Sequence, residues 1–387
     1  MTQASFLSRL TRAWSSWALA AALAAPAVAA HAADSSDFES AFDRSFSVEQ
    51  RSVARPGAIQ RAVPAATAKA ASPFTSVAQR PVLQQPVVQR ITAPTSVAQA
   101  PVVYGDSFEA QLARLANGSQ GRIGVAAIDL ASGRTLSVLG DQPFPMASTS
   151  KVAIAATFLD MVDSGRLRLT DSFPLMVAVP SRKFDGPVAP VRPGEYMTAE
   201  QLINLSLTRS SNPATDALLA AVGGTRAVND WLRRTGNAGM RIDRDIATLV
   251  RDDGAVNPAT TIDVRDSATP NAMVRLLSGL YQGRWLSAGS RQFLLQTMER
   301  CQTGKRRIRG LMPEGLVIAH KTGTLSNTAS DIGIINMPDG RAIAMAIYVT
   351  GQGGKPNRDG RIAEIARAIY DGYQYRGTGM ASAGARK

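Results

Sequence analysis

One stretch constrains the fold of this chain more than any other. Residues 145–151 read PMASTSK and run directly into an apolar segment, 152–164, which predicts a helix that ends at Gly165. A serine and a lysine three positions apart lie on one helical face about a turn from each other, so the Lys151 amine can reach the Ser148 hydroxyl. The pair is a candidate nucleophile and proton acceptor, although about one such spacing is expected by chance in a chain of this length.

The beginning of the chain has the pattern of an export signal. Two arginines precede an alanine-rich apolar run over 17–25, and a small-x-small site ends at Ala32. This pattern predicts a signal peptide over residues 1–32 and an exported protein, either periplasmic or secreted. An uncleaved membrane anchor is the alternative, but Pro26 leaves the apolar run short for a bilayer, so we expect no stable membrane span.

A long segment of low aromatic content follows the signal. Residues 33–105 are rich in Ala, Pro, Val and Gln, and the sequence TSVAQ occurs at 75–79 and again at 95–99. Such a segment cannot bury enough apolar surface to offset its chain entropy, so we predict a disordered tether. A binding role for the repeat is the alternative. The folded domain is predicted over 106–376, with a disordered Gly- and Ala-rich tail over 377–387.

The periodicity of the folded part predicts its elements. Helices are predicted at 107–116, 152–164, 198–208, 212–222, 225–235, 270–281, 288–299 and 361–370. Strands are predicted at 122–129, 135–139, 317–322, 331–336 and 342–350. Early and late strands around a helical middle predict an α+β fold, an α/β sandwich in which helices flank one antiparallel sheet from both chain ends. An all-helical subdomain would meet this sheet at the active site.

Composition excludes several classes of function. The formal net charge is +13, but the basic residues are scattered without an aromatic-plus-basic motif, so we expect no nucleic-acid partner. Cys301 is the only cysteine of the sequence, and His31 and His320 are its only histidines. A disulfide within the chain, a cysteine zinc cluster and a multi-histidine metal site are therefore not expected. We expect a monomer that needs no metal and no cofactor.

Three short polar motifs follow one another along the folded part. Ser148-Thr149-Ser150-Lys151 opens a predicted helix, Ser210-Ser211-Asn212 follows another, and Lys321-Thr322-Gly323-Thr324 ends a predicted strand. In this order they form a signature of class A β-lactamases and penicillin-binding proteins. The chain from 107 to 375 resembles the class A β-lactamase family, also in the segments DIGII at 331–335, PDGR at 338–341 and RIAEI at 361–365.

The resemblance implies the chemistry of acyl transfer. Ser148 would attack a strained lactam carbonyl or a D-alanyl peptide, and the backbone amides of Ser148 and Thr324 would hold the oxyanion. Lys151 would accept the serine proton if its pKa is lowered by Lys321 and by partial burial. Ser210 would pass a proton to the leaving nitrogen.

The resemblance also implies a substrate site. Asn212 would bind the amide side chain of the substrate, and the strand residues Lys321, Thr322 and Gly323 would bind its carboxylate end. Arg307 falls where some members of the family keep an arginine for that carboxylate. A solvated surface charge is the alternative for Arg307.

The chain departs from the family in two places. Ser211 stands where class A enzymes have Asp, which is closer to the S-x-N of penicillin-binding proteins. Arg244 and Asp266 resemble the ion pair that closes the family's Ω-loop, but Ile246 replaces the glutamate that activates the deacylating water. No glutamate occurs between 200 and 299. The loop carries four aspartates, Asp245, Asp252, Asp253 and Asp263, of which one would have to lie within about 3 Å of the reacting water to replace it.

Two further residues have alternatives of their own. His320 could be the base of a serine triad, but neighbours on a strand project to opposite faces, so a structural role is favoured over a site beside Lys321. Cys301 and His320 could also form a thiol catalytic pair, although the sequence shows no third residue to orient them.

We therefore expect a serine acyl-enzyme of the β-lactamase type whose deacylation is slow or uses an unusual base. Its substrate would be a β-lactam. A penicillin-binding-protein-like D-alanyl peptidase or transpeptidase acting on peptidoglycan stem peptides is the first alternative. A wall-binding or sensing module without turnover is the second.

Overall fold

The computed structural model describes residues 88–90 and 107–384; the predicted signal peptide and most of the predicted tether lie outside the described residues. The strands are β1 Val88–Arg90, β2 Ile123–Asp129, β3 Thr135–Val138, β4 Phe144–Pro145, β5 Ser172–Ala178, β6 Val191–Thr198, β7 Met240–Arg241, β8 Thr261–Asp263, β9 Ser267–Ala268, β10 Ile318–Leu325, β11 Thr328–Asn336 and β12 Ala342–Thr350. The helices are α1 Ser107–Leu115, α2 Lys151–Asp163, α3 Ala199–Thr208, α4 Asn212–Ala221, α5 Gly224–Arg234, α6 Ile246–Arg251, α7 Pro270–Tyr281, α8 Ala288–Glu299 and α9 Lys355–Gly384. Short 3-10 turns span Ala147–Ser150 and Ile308–Leu311.

A five-stranded antiparallel sheet joins the two ends of the folded part. Its order is β10-β11-β12-β2-β3, so early strands lie beside late ones. Alternate residues of β12 face opposite sides, as the pleat requires. Ile343 and Ile347 lie in the core cluster that contains Ile365 of α9, whereas Ala344 and Ala346 belong to the core shared with the helical unit. The predicted α+β class, with one sheet from both chain ends, is confirmed.

Helix α2 lies at the centre of the helical unit. Every residue from Lys151 to Leu159 is buried, which is the pattern of a helix surrounded on all sides. It contacts α3, α4, α5 and α8. Ser148 lies in the 3-10 turn that runs into this helix, so a largely buried helix holds the candidate nucleophile in place.

Local signals predicted several boundaries correctly. Helices α7 and α8 have the predicted bounds, because Thr269 and Ser287 cap their first turns with side-chain hydrogen bonds.

The hairpin of β5 and β6, which packs on α4, was not predicted. Its sequence contains three prolines, Pro174, Pro190 and Pro193, in or beside the strands, and proline is an unfavourable strand residue.

Two observed elements lie wholly or partly outside the predicted bounds of the folded domain. Residues Val88–Arg90 fall inside the predicted disordered tether, yet their backbone pairs antiparallel with β8 at Thr261–Asp263. The free edge of β8 offers backbone donors and acceptors that an extended segment satisfies.

Helix α9 continues to Gly384, so the predicted tail boundary at 377 lies within it. Adding residues to an existing helix costs far less than nucleating one, and the tail sequence contains no proline.

Within the described ranges, no helix has the length and apolar character needed to cross a bilayer. The apolar run of the predicted signal peptide is not among these residues.

The capping box of α3 gives a direct test of local stability. Thr198 accepts from the Gln201 backbone N–H, and the Gln201 side chain accepts from the Thr198 N–H. We expect Thr198→Ala to lower the free energy of unfolding by about 1 kcal/mol, measured by urea denaturation. Thr198→Ser keeps the hydroxyl and should stay within a few tenths of the parent; equal losses in both variants would contradict the capping role.

Candidate active site

Ser148 lies on a strained turn between the sheet and the helical unit. Ala147, directly before it, has a φ of 48°, a left-handed conformation that alanine rarely adopts. The turn is held by its own hydroxyls, because Thr149 donates to the Met146 carbonyl at 2.7 Å and Ser150 donates to the Ala147 carbonyl at 2.9 Å. Such strain persists only where surrounding contacts enforce it, and it is concentrated at functional sites.

Strand β10 approaches this turn closely at Gly323. A Cβ atom on Gly323 would lie 2.6 Å from the Met146 carbonyl oxygen and 3.1 Å from the Ala147 Cβ. Glycine is therefore required for the strand to pass beside the Ser148 turn. The first and third polar motifs of the sequence meet here.

The two lysines of the motifs meet at one serine. Lys151 Nζ donates to the Ser210 carbonyl at 2.6 Å and to Asn212 Oδ1 at 2.7 Å, and lies 3.2 Å from Ser210 Oγ. Lys321 Nζ donates to the same Ser210 Oγ at 3.0 Å. Ser210 has a φ of 59°, a second strained residue in the site. The three motifs, far apart in sequence, therefore form one polar cluster.

The protonation of Lys151 is set by its surroundings. Burial is the largest cause that lowers its pKa well below the usual value, and the positive charge of Lys321 lowers it further. Asp216 opposes both, because its negative charge favours the ammonium form. A lowered pKa favours the free amine of a lysine, which can accept a proton.

Arg307 is buried, so the surface-charge alternative for it is wrong. Only about 1% of the residue is exposed, and its Nε donates to Asp359 at 2.7 Å. The two terminal nitrogens donate to the carbonyls of Gly323 and Ser330, both at 2.9 Å, and to Thr324 Oγ1 at 2.7 Å. Arg307 thus anchors the end of β10, which carries the predicted oxyanion amide. Direct binding of a substrate carboxylate by Arg307 stays a prediction.

Thr322 and His320, on either side of Lys321 in β10, contact residues outside the Ser210 cluster. The Thr322 hydroxyl lies 2.5 Å from the Thr303 hydroxyl, and His320 Nδ1 lies 3.0 Å from the Asp331 carboxylate. His320 and Asp331 are both fully buried. These contacts support the structural role predicted for His320 and give no support to a serine triad.

An ion pair closes the long loop between α5 and α7. Arg244 Nε donates to the Asp266 carboxylate at 2.6 Å, and the backbone N–H groups of Asp243 and Arg244 donate to it at 2.8 and 3.0 Å. The loop contains the short helix α6, which begins at Ile246. The side chain of Ile246 is buried.

The four aspartates of this loop all serve structural roles. Each accepts hydrogen bonds from groups in the loop or beside it: Asp245 from the Thr248 N–H, Asp252 from Arg251, Asp253 from the Ser326 N–H, and Asp263 from Arg265. Burial raises the pKa of Asp263, but the hydrogen bonds and charge of Arg265 outweigh this and leave it lowered. These contacts do not support any of the four as a free base.

One acidic residue of the site was not identified from the sequence. Asp216 lies one helical turn after Asn212 on α4 and accepts from the backbone N–H groups of Ile246 at 2.7 Å and Ala247 at 2.9 Å. Burial raises its pKa to about 7, although these two N–H groups and Lys151 lower it. The four-residue spacing from Asn212 was a visible signal that Asp216 faces the site.

Comparison with known proteins is consistent with this geometry. The family model described as the β-lactamase enzyme family matches residues 107–373. The chain is 28% identical over 253 residues to β-lactamase VEB-1 of Pseudomonas aeruginosa, covering 63% of this chain and 82% of that protein.

Solved structures of β-lactamases are also similar to this chain in sequence and fold. A variant of the class A β-lactamase of the last common ancestor of Gram-negative bacteria is 35% identical, with a TM-score of 0.60, and the match covers 70% of this chain and all of the other. A β-lactamase from Chitinophaga pinensis is 27% identical with a TM-score of 0.60, covering 69% of this chain and all of the other.

Substitution of Arg307 tests whether its buried contacts stabilise the end of β10. Arg307→Met removes the cation from a buried pair and leaves Asp359 uncompensated, so we expect a loss of about 3–5 kcal/mol in the free energy of unfolding. The adjacent Arg306 is exposed, and Arg306→Met is the matched control with an expected change below about 0.5 kcal/mol. Similar urea midpoints for both variants would contradict the anchoring role.

Proposed function

Because this chain belongs to the β-lactamase enzyme family, we propose that it is a β-lactam hydrolase acylated at Ser148. The observation that carries the proposal is the polar cluster in which Lys151 and Lys321 share the Ser210 hydroxyl beside the Ser148 turn. We also propose that the protein acts outside the cytoplasm, in the periplasm or after secretion, where β-lactams are encountered.

Acylation would begin with attack of Ser148 Oγ on the lactam carbonyl carbon. The serine proton passes to Lys151, whose pKa is lowered by burial and by Lys321. The amides of Ser148 and Thr324 stabilise the oxyanion that forms. The carbon–nitrogen bond of the lactam then breaks, and Ser210, within reach of both lysines, passes a proton to the leaving nitrogen.

Substrate binding would use the edge of β10. Lys321 and Thr322 provide a cation and a hydroxyl for the carboxylate of the substrate, and Asn212 provides an amide for its side chain. Asn212 Oδ1 accepts from Lys151, which leaves the Asn212 amide nitrogen as the group that would donate to a substrate carbonyl.

Deacylation is the step for which we propose an atypical course. Ile246 replaces the expected glutamate, and the four loop aspartates are engaged in structural hydrogen bonds. Slow hydrolysis of the acyl-enzyme follows from this. An unusual base is the alternative. Asp216 is coupled by charge to Lys151, but both of its carboxylate oxygens accept from backbone N–H groups, so it is engaged in the same way as the loop aspartates.

A penicillin-binding-protein-like peptidase is the second candidate function. Two features favour it: Ser211 in place of Asp, and the missing glutamate. Release of D-alanine from a D-alanyl-D-alanine stem peptide would identify this activity, whereas hydrolysis of nitrocefin without D-alanine release would identify a β-lactamase. A protein that forms no covalent adduct with either substrate would be a binding module.

Intact mass spectrometry tests the nucleophile. Labelled penicillin should add one acyl group to the parent and none to Ser148→Ala, because the other two hydroxyls of this turn, on Thr149 and Ser150, donate to backbone carbonyls. Ser150→Ala is the matched control, since the Ser150 hydroxyl donates to a backbone carbonyl of the same turn. An adduct on Ser148→Ala equal to that of the parent would refute the proposed nucleophile.

The pH profile of acylation tests the role of Lys151. Its amine must be neutral to accept a proton, so the acylation rate should fall as the pH falls through the lowered pKa. Lys321→Gln removes a charge that lowers this pKa and should move the acidic limb of the profile to higher pH. Lys305→Gln, at an exposed lysine, should leave the limb unchanged. An acidic limb at the same pH in Lys321→Gln and Lys305→Gln would exclude the proposed coupling between Lys151 and Lys321.

A further inference from the structure

The single cysteine lies in a polar cluster that the proposed mechanism does not use. Cys301 lies two residues after the end of helix α8, carries a free thiol and is about 7% exposed. Its Sγ lies 3.4 Å from the Thr303 hydroxyl. A reactive cysteine needs a group that stabilises its thiolate, and the residues around Cys301 provide one.

That group is His320. Its Nδ1 is held by Asp331, which also accepts from the Ile308 N–H, so the imidazole has a fixed orientation. His320 Nε2 is fully buried and makes no standard hydrogen bond within the described part of the chain. The thiol of Cys301 is, after Asp331, the second ionisable group that raises the pKa of this ring.

The electrostatics favour an ion pair between the two side chains. Burial raises the pKa of Cys301, but His320 and Lys321 outweigh it and lower the pKa to about 6. Burial lowers the pKa of His320, but Asp331 and Cys301 raise it to about 9. The charged groups that act on the thiol thus come from β10, and both shifts favour a thiolate beside an imidazolium.

A short chain of hydroxyls connects this cysteine to the substrate site. Thr303, which contacts Cys301, lies 2.5 Å from Thr322 Oγ1. Thr322 is the strand residue proposed to bind the substrate carboxylate. A change in the size or polarity of the Cys301 sulfur therefore acts on Thr322 through one intervening residue.

We propose that Cys301 is a modification site for hydrogen peroxide, and that its oxidation displaces Thr303 from Thr322 and weakens substrate binding. The thiolate sulfur attacks one peroxide oxygen, the O–O bond breaks, and a sulfenic acid forms. The second oxygen leaves as hydroxide and takes the imidazolium proton of His320 to become water. Peroxide is small and uncharged, as access to a nearly buried thiol requires.

Labelling of the full chain tests the site itself. Peroxide followed by dimedone should place one dimedone adduct on Cys301, detected by peptide mass mapping. The labelling rate should be half-maximal near the thiolate pKa of about 6 and flat above neutral pH, whereas an ordinary thiol would continue to gain reactivity up to about pH 8.5. No adduct on Cys301 in folded protein, or an ordinary thiol profile, would overturn the proposal.

Acylation by labelled penicillin tests the effect on the substrate site, and this arm rests on the proposed function. Oxidation should lower the second-order acylation rate by about tenfold, the effect of losing roughly one hydrogen bond. Dithiothreitol should restore it. Cys301→Ser keeps all 12 methionines and should resist peroxide, which separates cysteine from methionine oxidation.

Thr303→Val removes the hydroxyl that connects Cys301 to Thr322. This variant tests whether the effect of oxidation on acylation passes through Thr303. In this variant Cys301 should still be labelled, but oxidation should not lower acylation further. Labelling of the parent without any change in its acylation would overturn the proposed link to Thr322. A parent that is labelled at Cys301 but never acylated would refute the proposed function and leave the modification site standing.

Discussion

Two buried lysines converge on a single serine hydroxyl, and the rest of the site depends on this contact. Lys151 comes from the central helix α2, Lys321 comes from the sheet strand β10, and Ser210 lies on the turn between α3 and α4. Two ammonium groups cannot both stay charged so close together in a buried site without a large cost. Packing of the sheet against the helical unit therefore lowers the pKa of Lys151 and favours its neutral amine.

The sequence predicted the parts of this arrangement that rest on local signals. Helices α7 and α8 had clear caps and apolar spacing, and the three motifs were visible in order. The burial of Arg307 was not predictable, because its partners Ser330 and Asp359 lie 23 and 52 positions away and only the fold brings them together. The hairpin of β5 and β6 was missed because its prolines obscure a strand pattern. Asp216 was overlooked because its two backbone donors, Ile246 and Ala247 at the start of α6, are brought to it only by the fold.

The long loop between Arg244 and Asp266 shows how carboxylates can be present without serving as bases. Asp245 caps α6, Asp253 holds Ser326, and the other two pair with arginines. The Lys183 side chain also donates to the Asp253 carbonyl at 2.6 Å, which ties the loop to the hairpin. A base must be free to take a proton from water, and these contacts compete with that role. Under the proposed function, the chain keeps residues suited to attack on a lactam, and Ile246 stands where the family resemblance implies the residue for release.

The lifetime of the acyl adduct on Ser148 tests most directly whether acylation is fast and deacylation is slow. The full chain would be pulsed with penicillin, freed of unbound drug and followed by intact mass over time. The structure predicts one adduct that forms readily and persists for minutes or longer. An adduct that vanishes within the first sampling time, together with penicillin hydrolysis at a typical enzymatic rate of about 10 per second, would contradict it, because an efficient deacylating base would then have to be present.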